Sequence, residues 1–208
     1  MLNLSTVSTL LSLDQIPFWL KVFVTLFVCM VVPVYWMQYG PGNFLWFSDL
    51  ALLLAVPALW FESALLASMI ALSIGVLELA WMVDFIVRLV TGNSVFGLSA
   101  YMFDSKILLG IRALSLFHMV LPVLLIWMVY RLGYDTRALT AQTLVAWIVL
   151  PLSYLLTGPS HNVNWVYGFG NKPQRRMPRL RHVALLMVLI PLVIYLPSHI
   201  ILKGLFGR

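Results

Sequence analysis

Six apolar runs, each close to the length that crosses a bilayer, dominate the sequence: about 17–37, 44–61, 63–83, 106–130, 138–157 and 183–203. About 20 helical residues cross a hydrocarbon core roughly 30 Å thick. Within that core the backbone must satisfy its own N–H and C=O groups, so each run is expected to be a helix. With 62% hydrophobic and 10% charged residues among 208, and a mean hydropathy of +0.98, the chain lacks the polar surface to cover a soluble domain. The expected fold class is all-α: one polytopic membrane domain over residues 1–208, a six-helix transmembrane bundle.

The connections fit that reading. "YGPGN" at 39–43, "FES" at 61–63 and "RLGYDTR" at 131–137 are short turns. Pro33, Pro57, Pro122, Pro151, Pro191 and Pro197 fall inside or near the ends of spans, where membrane helices tolerate proline. The single Cys29 gives neither a disulfide framework nor a Cys metal pair. The opening "MLNLSTVSTLLSLDQ" lacks a positive n-region and is expected to be a short interfacial helix, not a cleaved signal.

Six spans place both termini on one side and the connections near 40, 92–105 and 158–182 on the other, here termed the loop face. That face carries Arg88, Lys106, Lys172, Arg175, Arg176, Arg179 and Arg181, against Arg131, Arg137, Lys203 and Arg208 opposite. The positive-inside rule makes the loop face cytoplasmic in a multi-pass protein of the cell membrane. The net charge of +6 is concentrated at span ends and in one loop. Membrane lipids are therefore the expected partners and nucleic acid is not, with the basic run 172–182 suited to anionic headgroups.

The informative residues are ionisable ones inside the spans. Ser48 and Asp49 lie four to five residues into segment two, Glu78 about five residues from the end of segment three, and Arg112 six residues into segment four. At about 1.5 Å per residue, three helices bring these groups to one depth. An intramembrane charge costs at least a few kcal/mol, so such groups pair or line a hydrated cavity. Two readings follow: Arg112 bridges the carboxylates as packing glue, or the cluster is functional.

His118, three residues after Ser115 and six after Arg112, is expected on a drifting face of the same helix. Its options are a general base or a hydrogen-bonding core residue. Nucleophilic catalysis needs a hydroxyl or thiol, a base and a group that orients the base. Ser48 as nucleophile, His118 as base, and Asp49 or Glu78 as orienting carboxylate are the right residue types. Arg112, Asn162 and Asn164 would hold a headgroup or oxyanion. The polar loop "SHNVNWVYGFGNKPQRR" would cover the layer, bringing His161 and Trp165 to it from above. No H-x-x-x-H or H-E-x-x-H spacing occurs, so neither a metal nor a cofactor is expected.

"FLWFSDLALLL", "LFHMVLPVLL" and "NVNWVYGFGNKP" together resemble the three marked regions of a superfamily of six-helix membrane proteins. It includes the androgen-induced fatty-acid-ester hydrolases and related bacterial integral membrane proteins. The resemblance implies six spans, a Thr or Cys nucleophile on an early helix and a histidine on a later one, acting on lipid acyl esters. By position it offers Ser48 and His118. Registered instead on the hydrolases' F-L-T-F-x-D pattern, Trp46 stands at the Thr and the His falls one residue from His118. The function expected is a membrane-embedded lipid acyl-ester hydrolase or acyltransferase. The alternative is a non-enzymatic lipid- or solute-binding protein or small transporter with an Asp49, Glu78 and Arg112 site, for which no inverted repeat is evident.

Overall fold

The structure, a computed structural model, describes residues 15–169 and 173–207. The expected N-terminal interfacial helix lies largely outside the described residues, as do Lys172 and Arg208. All regular structure among the described residues is helical. The helices are α1 (Phe18–Tyr39), α2 (Phe47–Trp60), α3 (Ala64–Thr91), α4 (Leu109–Leu114), α5 (Phe117–Leu132), α6 (Ala138–Leu156), α7 (Arg179–Leu189) and α8 (Leu196–Phe206). Short 3-10 turns cover Pro41–Leu45, Ala100–Phe103 and Val163–Trp165, and a π-helical turn, Ile190–Tyr195, joins α7 to α8.

Six rods result among the described residues, and the protein is an all-α bundle. Five are long and apolar enough to cross a membrane: α1, α3, α4 with α5, α6, and α7 through α8. The sixth, α2, has only 14 residues, about 21 Å at 1.5 Å per residue. The apolar run expected from residue 44 is shortened because Gly40, at φ 78°, and Pro41 start a 3-10 turn in its place. In the last rod Pro191 lies in the π-helical turn, consistent with its missing N–H and its clash with the preceding turn.

α3 lies at the centre, packed against α2, α5 and α6. It runs eight residues past the expected end near residue 83, to Thr91. A buried charge at Asp84 reads in sequence as the end of an apolar run. The following segment folds back to bond that carboxylate, so the helix continues until Gly92, at φ 77°, caps it. Phe18, Trp19, Phe23, Met37, Leu89, Val120 and Ile200 are exposed on the outside of the bundle, an arrangement costly in water and natural in lipid.

The two ends of the bundle differ. At the terminal face, buried Lys21 Nζ pairs with Glu62 Oε1 at 2.9 Å. The amides of Gln15 and Ile16 donate to the same carboxylate, and Tyr134 N–H donates to Phe206 C=O. Tyr134 hydroxyl and His199 Nδ1 are 2.8 Å apart there. The termini of the described chain thus share one face with the 61–63 and 133–137 turns. The other face holds the longer connections and the cavity described next.

Candidate functional site

At the loop-face end the bundle opens into a cavity of about 740 Å³. Ser48, Asp49, Glu78, His118, His161, Asn162, Asn164 and Trp165 all line it. One predicted site residue does not: Arg112 is absent from the wall, and its Nη1 donates to the Met102 carbonyl at 2.9 Å. Among the described residues it forms no ion pair with Asp49 or Glu78. The bridge from Arg112 to the carboxylates, one of the two readings, is not formed; Arg112 makes a loop-anchoring bond instead.

A break in the helix explains the exchange. α4 ends at Leu114, and around Ser115 and Leu116 the backbone tightens to i−3 bonds, including Ser115 N–H to Arg112 C=O at 3.0 Å and His118 N–H to Ser115 C=O at 3.2 Å. A regular helix would carry Arg112, Ser115 and His118 along one drifting face. The break rotates His118 into the cavity and leaves Arg112 on the loop side. Ser115 is fixed by a 2.6 Å hydrogen bond between its hydroxyl and that of Tyr35 on α1.

His118 Nδ1 lies 2.7 Å from Glu78 Oε2. Both residues are largely buried, and the ring stacks with Trp81, 4.7 Å away by ring centroids, and with the adjacent Phe117. A carboxylate at Nδ1 holds the tautomer with its proton on that nitrogen and turns Nε2 to the other side of the ring. Nε2 has no hydrogen-bond partner among the described residues. Of the two carboxylates considered as orienting group, Glu78 is the one in contact.

Asp49 is 6% exposed, and its Oδ1 is buried with no hydrogen-bond partner. It sits with Ser48 in the first turn of α2, where backbone N–H groups lack intrahelical acceptors. The first of these amides, Phe47 N–H, donates to Asn164 Oδ1 at 3.1 Å.

The loop from Gly158 contributes His161, Asn162, Asn164 and Trp165 to the cavity wall, and its asparagines hold it there. Asn164 Nδ2 donates to the Leu45 carbonyl at 2.7 Å and to Ser153 Oγ at 3.2 Å. Asn162 Nδ2 donates to Gly168 C=O, and its Oδ1 accepts from Tyr167 N–H. Both asparagines adopt positive φ, 42° and 50°, a region that Asn tolerates better than most residues. The two amides proposed from sequence to hold a headgroup thus bond the loop to itself and to α2 and α6. Trp165 packs edge-on against Trp46, and buried His182 has Nε2 3.0 Å from the Trp165 carbonyl. Beyond this, Arg175, Arg176, Arg179 and Arg181 are exposed.

Two residues that sequence reasoning did not single out complete the site. Asp84, fully buried, accepts from the amides of Val95, Phe96, Gly97 and Ser99 and from the hydroxyls of Ser94 and Ser99. This fixes the segment whose Phe96, Gly97 and Leu98 form one cavity wall. Tyr101, on the following 3-10 turn, also lines the cavity, and burial pushes its hydroxyl well above the ordinary phenol range, so it stays protonated. No group of three or more His, Cys, Asp or Glu suited to a metal occurs among the described residues.

Comparison of the chain with protein-family models, curated proteins and solved structures finds no match.

Proposed function

We propose that the protein is a membrane-embedded lipid acyl-ester hydrolase or acyltransferase in which the Glu78–His118 pair is the general base. The observation that carries this reading is the 2.7 Å contact at His118 Nδ1 with the ring lining the loop-face cavity. That is how a histidine is readied to take a proton through Nε2. The resemblance of the three apolar stretches to the ester-hydrolase superfamily points the same way.

In the proposed reaction Ser48 Oγ attacks the ester carbonyl while His118 Nε2 takes the hydroxyl proton. Glu78 holds the Nδ1 proton and stabilises the imidazolium that forms. As the tetrahedral intermediate collapses, His118 returns the proton to the departing alcohol. The acyl group left on Ser48 passes to water in a hydrolase or to a second alcohol in a transferase. The first-turn amides of Ser48 and Asp49 are the candidate donors to the oxyanion, since a helix N-terminus favours developing negative charge. They take the role that sequence reading gave to Arg112, Asn162 and Asn164. We place the loop face in the cytoplasm of a cell membrane, with Arg175, Arg176, Arg179 and Arg181 on anionic headgroups.

The test is fatty-acid release from acyl esters by purified protein in lipid nanodiscs. Wild type is expected to turn over. Ser48→Ala and His118→Ala are expected to lose at least a hundredfold while remaining monodisperse. Absence of turnover in wild type, or unchanged rates in both variants, would reject the enzyme reading.

A further inference from the structure

The cavity wall has a charge character opposite to the basic surface around it. Among the described residues it holds two carboxylates, Asp49 and Glu78, and no lysine or arginine. Glu78 is hydrogen-bonded to His118 at 2.7 Å, and Asp49 is the second acid, 6% exposed with Oδ1 lacking a hydrogen-bond partner.

Around these groups the wall is aromatic. Tyr35, Tyr39, Trp46, Trp81, Tyr101 and Trp165 all line it. They form pairs at angles to one another: Tyr35 with Tyr39 at 82° and 5.3 Å, Trp46 with Trp165 at 82° and 6.1 Å, and Trp81 with Tyr101 at 45° and 6.5 Å. Paired rings at steep angles close a site from several directions. The hydroxyl of Tyr39 is also buried without a partner.

A buried carboxylate among several aromatic rings is the chemistry that recognises an ammonium group. The carboxylate supplies the charge, and a cation within about 6 Å of a ring centroid is held by the ring's negative face. An anionic group would meet the carboxylates of Asp49 and Glu78, with His118 and His161 as the basic side chains of the wall among the described residues. A neutral acyl ester would leave the Asp49 oxygen unpaired in a largely apolar enclosure, an arrangement that costs free energy.

We propose that the cavity binds a ligand bearing an ammonium group, seated against Asp49 within the aromatic wall, and that the ester substrate carries this group on its alcohol portion. The substrate half of the proposal rests on the acyl-transfer reading. The ammonium subsite does not, and it is measured separately by binding.

The experiment is calorimetric titration of the full-length protein in detergent at 150 mM KCl with choline, with tetramethylammonium and with the neutral isostere 3,3-dimethyl-1-butanol. Choline and tetramethylammonium are expected to bind at least tenfold more tightly than the isostere. Asp49→Asn is expected to remove that preference, and Asp49→Glu to retain part of it. The wild-type comparison needs no variant, so a misfolded Asp49→Asn protein leaves the test intact. Equal binding of choline and isostere, or no choline binding, would overturn the proposal.

Competition of choline by phosphatidylcholine but not phosphatidylglycerol, presented in mixed micelles, assigns the ammonium to a lipid headgroup. Choline binding with no competition from either lipid assigns it to a soluble compound, and both results support the subsite. Choline binding without turnover of any ester would keep the subsite and reject the acyl-transfer reading. Turnover of neutral esters without choline binding would do the reverse.

Discussion

Asp84 and Asp49 are two buried aspartates near the loop-face end of the bundle, held in opposite ways. Asp84 receives four backbone amides and two hydroxyls from residues 94–99. Asp49, almost as buried, has an oxygen with no hydrogen-bond partner and borders the cavity. A carboxylate whose lone pairs are filled by its own chain is a structural tie. One left open in a low-dielectric enclosure is under a standing penalty, which a bound partner would relieve. Burial and charge alone do not separate the two; the hydrogen-bond inventory does.

The contrast is broken or sharpened by substitution. The largest effect is expected for Asp84→Ala, which strands four amides of one cavity wall. Loss of about 3–5 kcal/mol is expected, given that hydrogen bonds to charged groups contribute roughly 1.5–3 kcal/mol each and are not additive. It would be read as a lowered thermal midpoint in detergent. A midpoint unchanged from wild type would show that these bonds are not what holds the segment. The smallest effect is expected for Asp49→Asn, whose stability should lie within about 0.5 kcal/mol of wild type or slightly above it, because an isosteric amide replaces an unpaired acid. If Asp49→Asn unfolded the protein as readily as Asp84→Ala, both aspartates would be structural.

The same contrast explains what could be read from the sequence. The six rods follow from apolar runs of span length, and the common depth of Asp49, Glu78 and the covering loop follows from counting residues along those runs. His118 shares that level through contact with Glu78, although spacing alone places it deeper. Arg112 is where counting fails, because a helix break at Ser115 and Leu116 re-aims everything on one side of it. The nearest proline, Pro122, lies inside α5, where it leaves the His118 carbonyl at the edge of the break without its i+4 N–H.

Asn162 and Asn164 were legible as unusual and not as structural. Polar amides in a loop suggest a ligand until positive φ shows that the backbone itself requires them. The role of Asp84 had one sequence signal: an acid in an apolar helix followed ten residues later by "SVFGLS", a Ser- and Gly-containing stretch able to turn its amides back. α2 is shorter than its apolar run because Gly40 and Pro41 set a turn that hydropathy does not register.

The central claim is that the open cluster at Asp49, Glu78 and His118 is a chemical centre with Ser48 as its nucleophile. It is tested most directly by treating the protein with a lipid-like fluorophosphonate and locating the adduct by peptide mass spectrometry. An adduct on Ser48 in wild type, lost in Ser48→Ala and formed at least a hundredfold more slowly in His118→Ala, is the predicted result. No adduct on Ser48, or one that forms equally fast without His118, would contradict it.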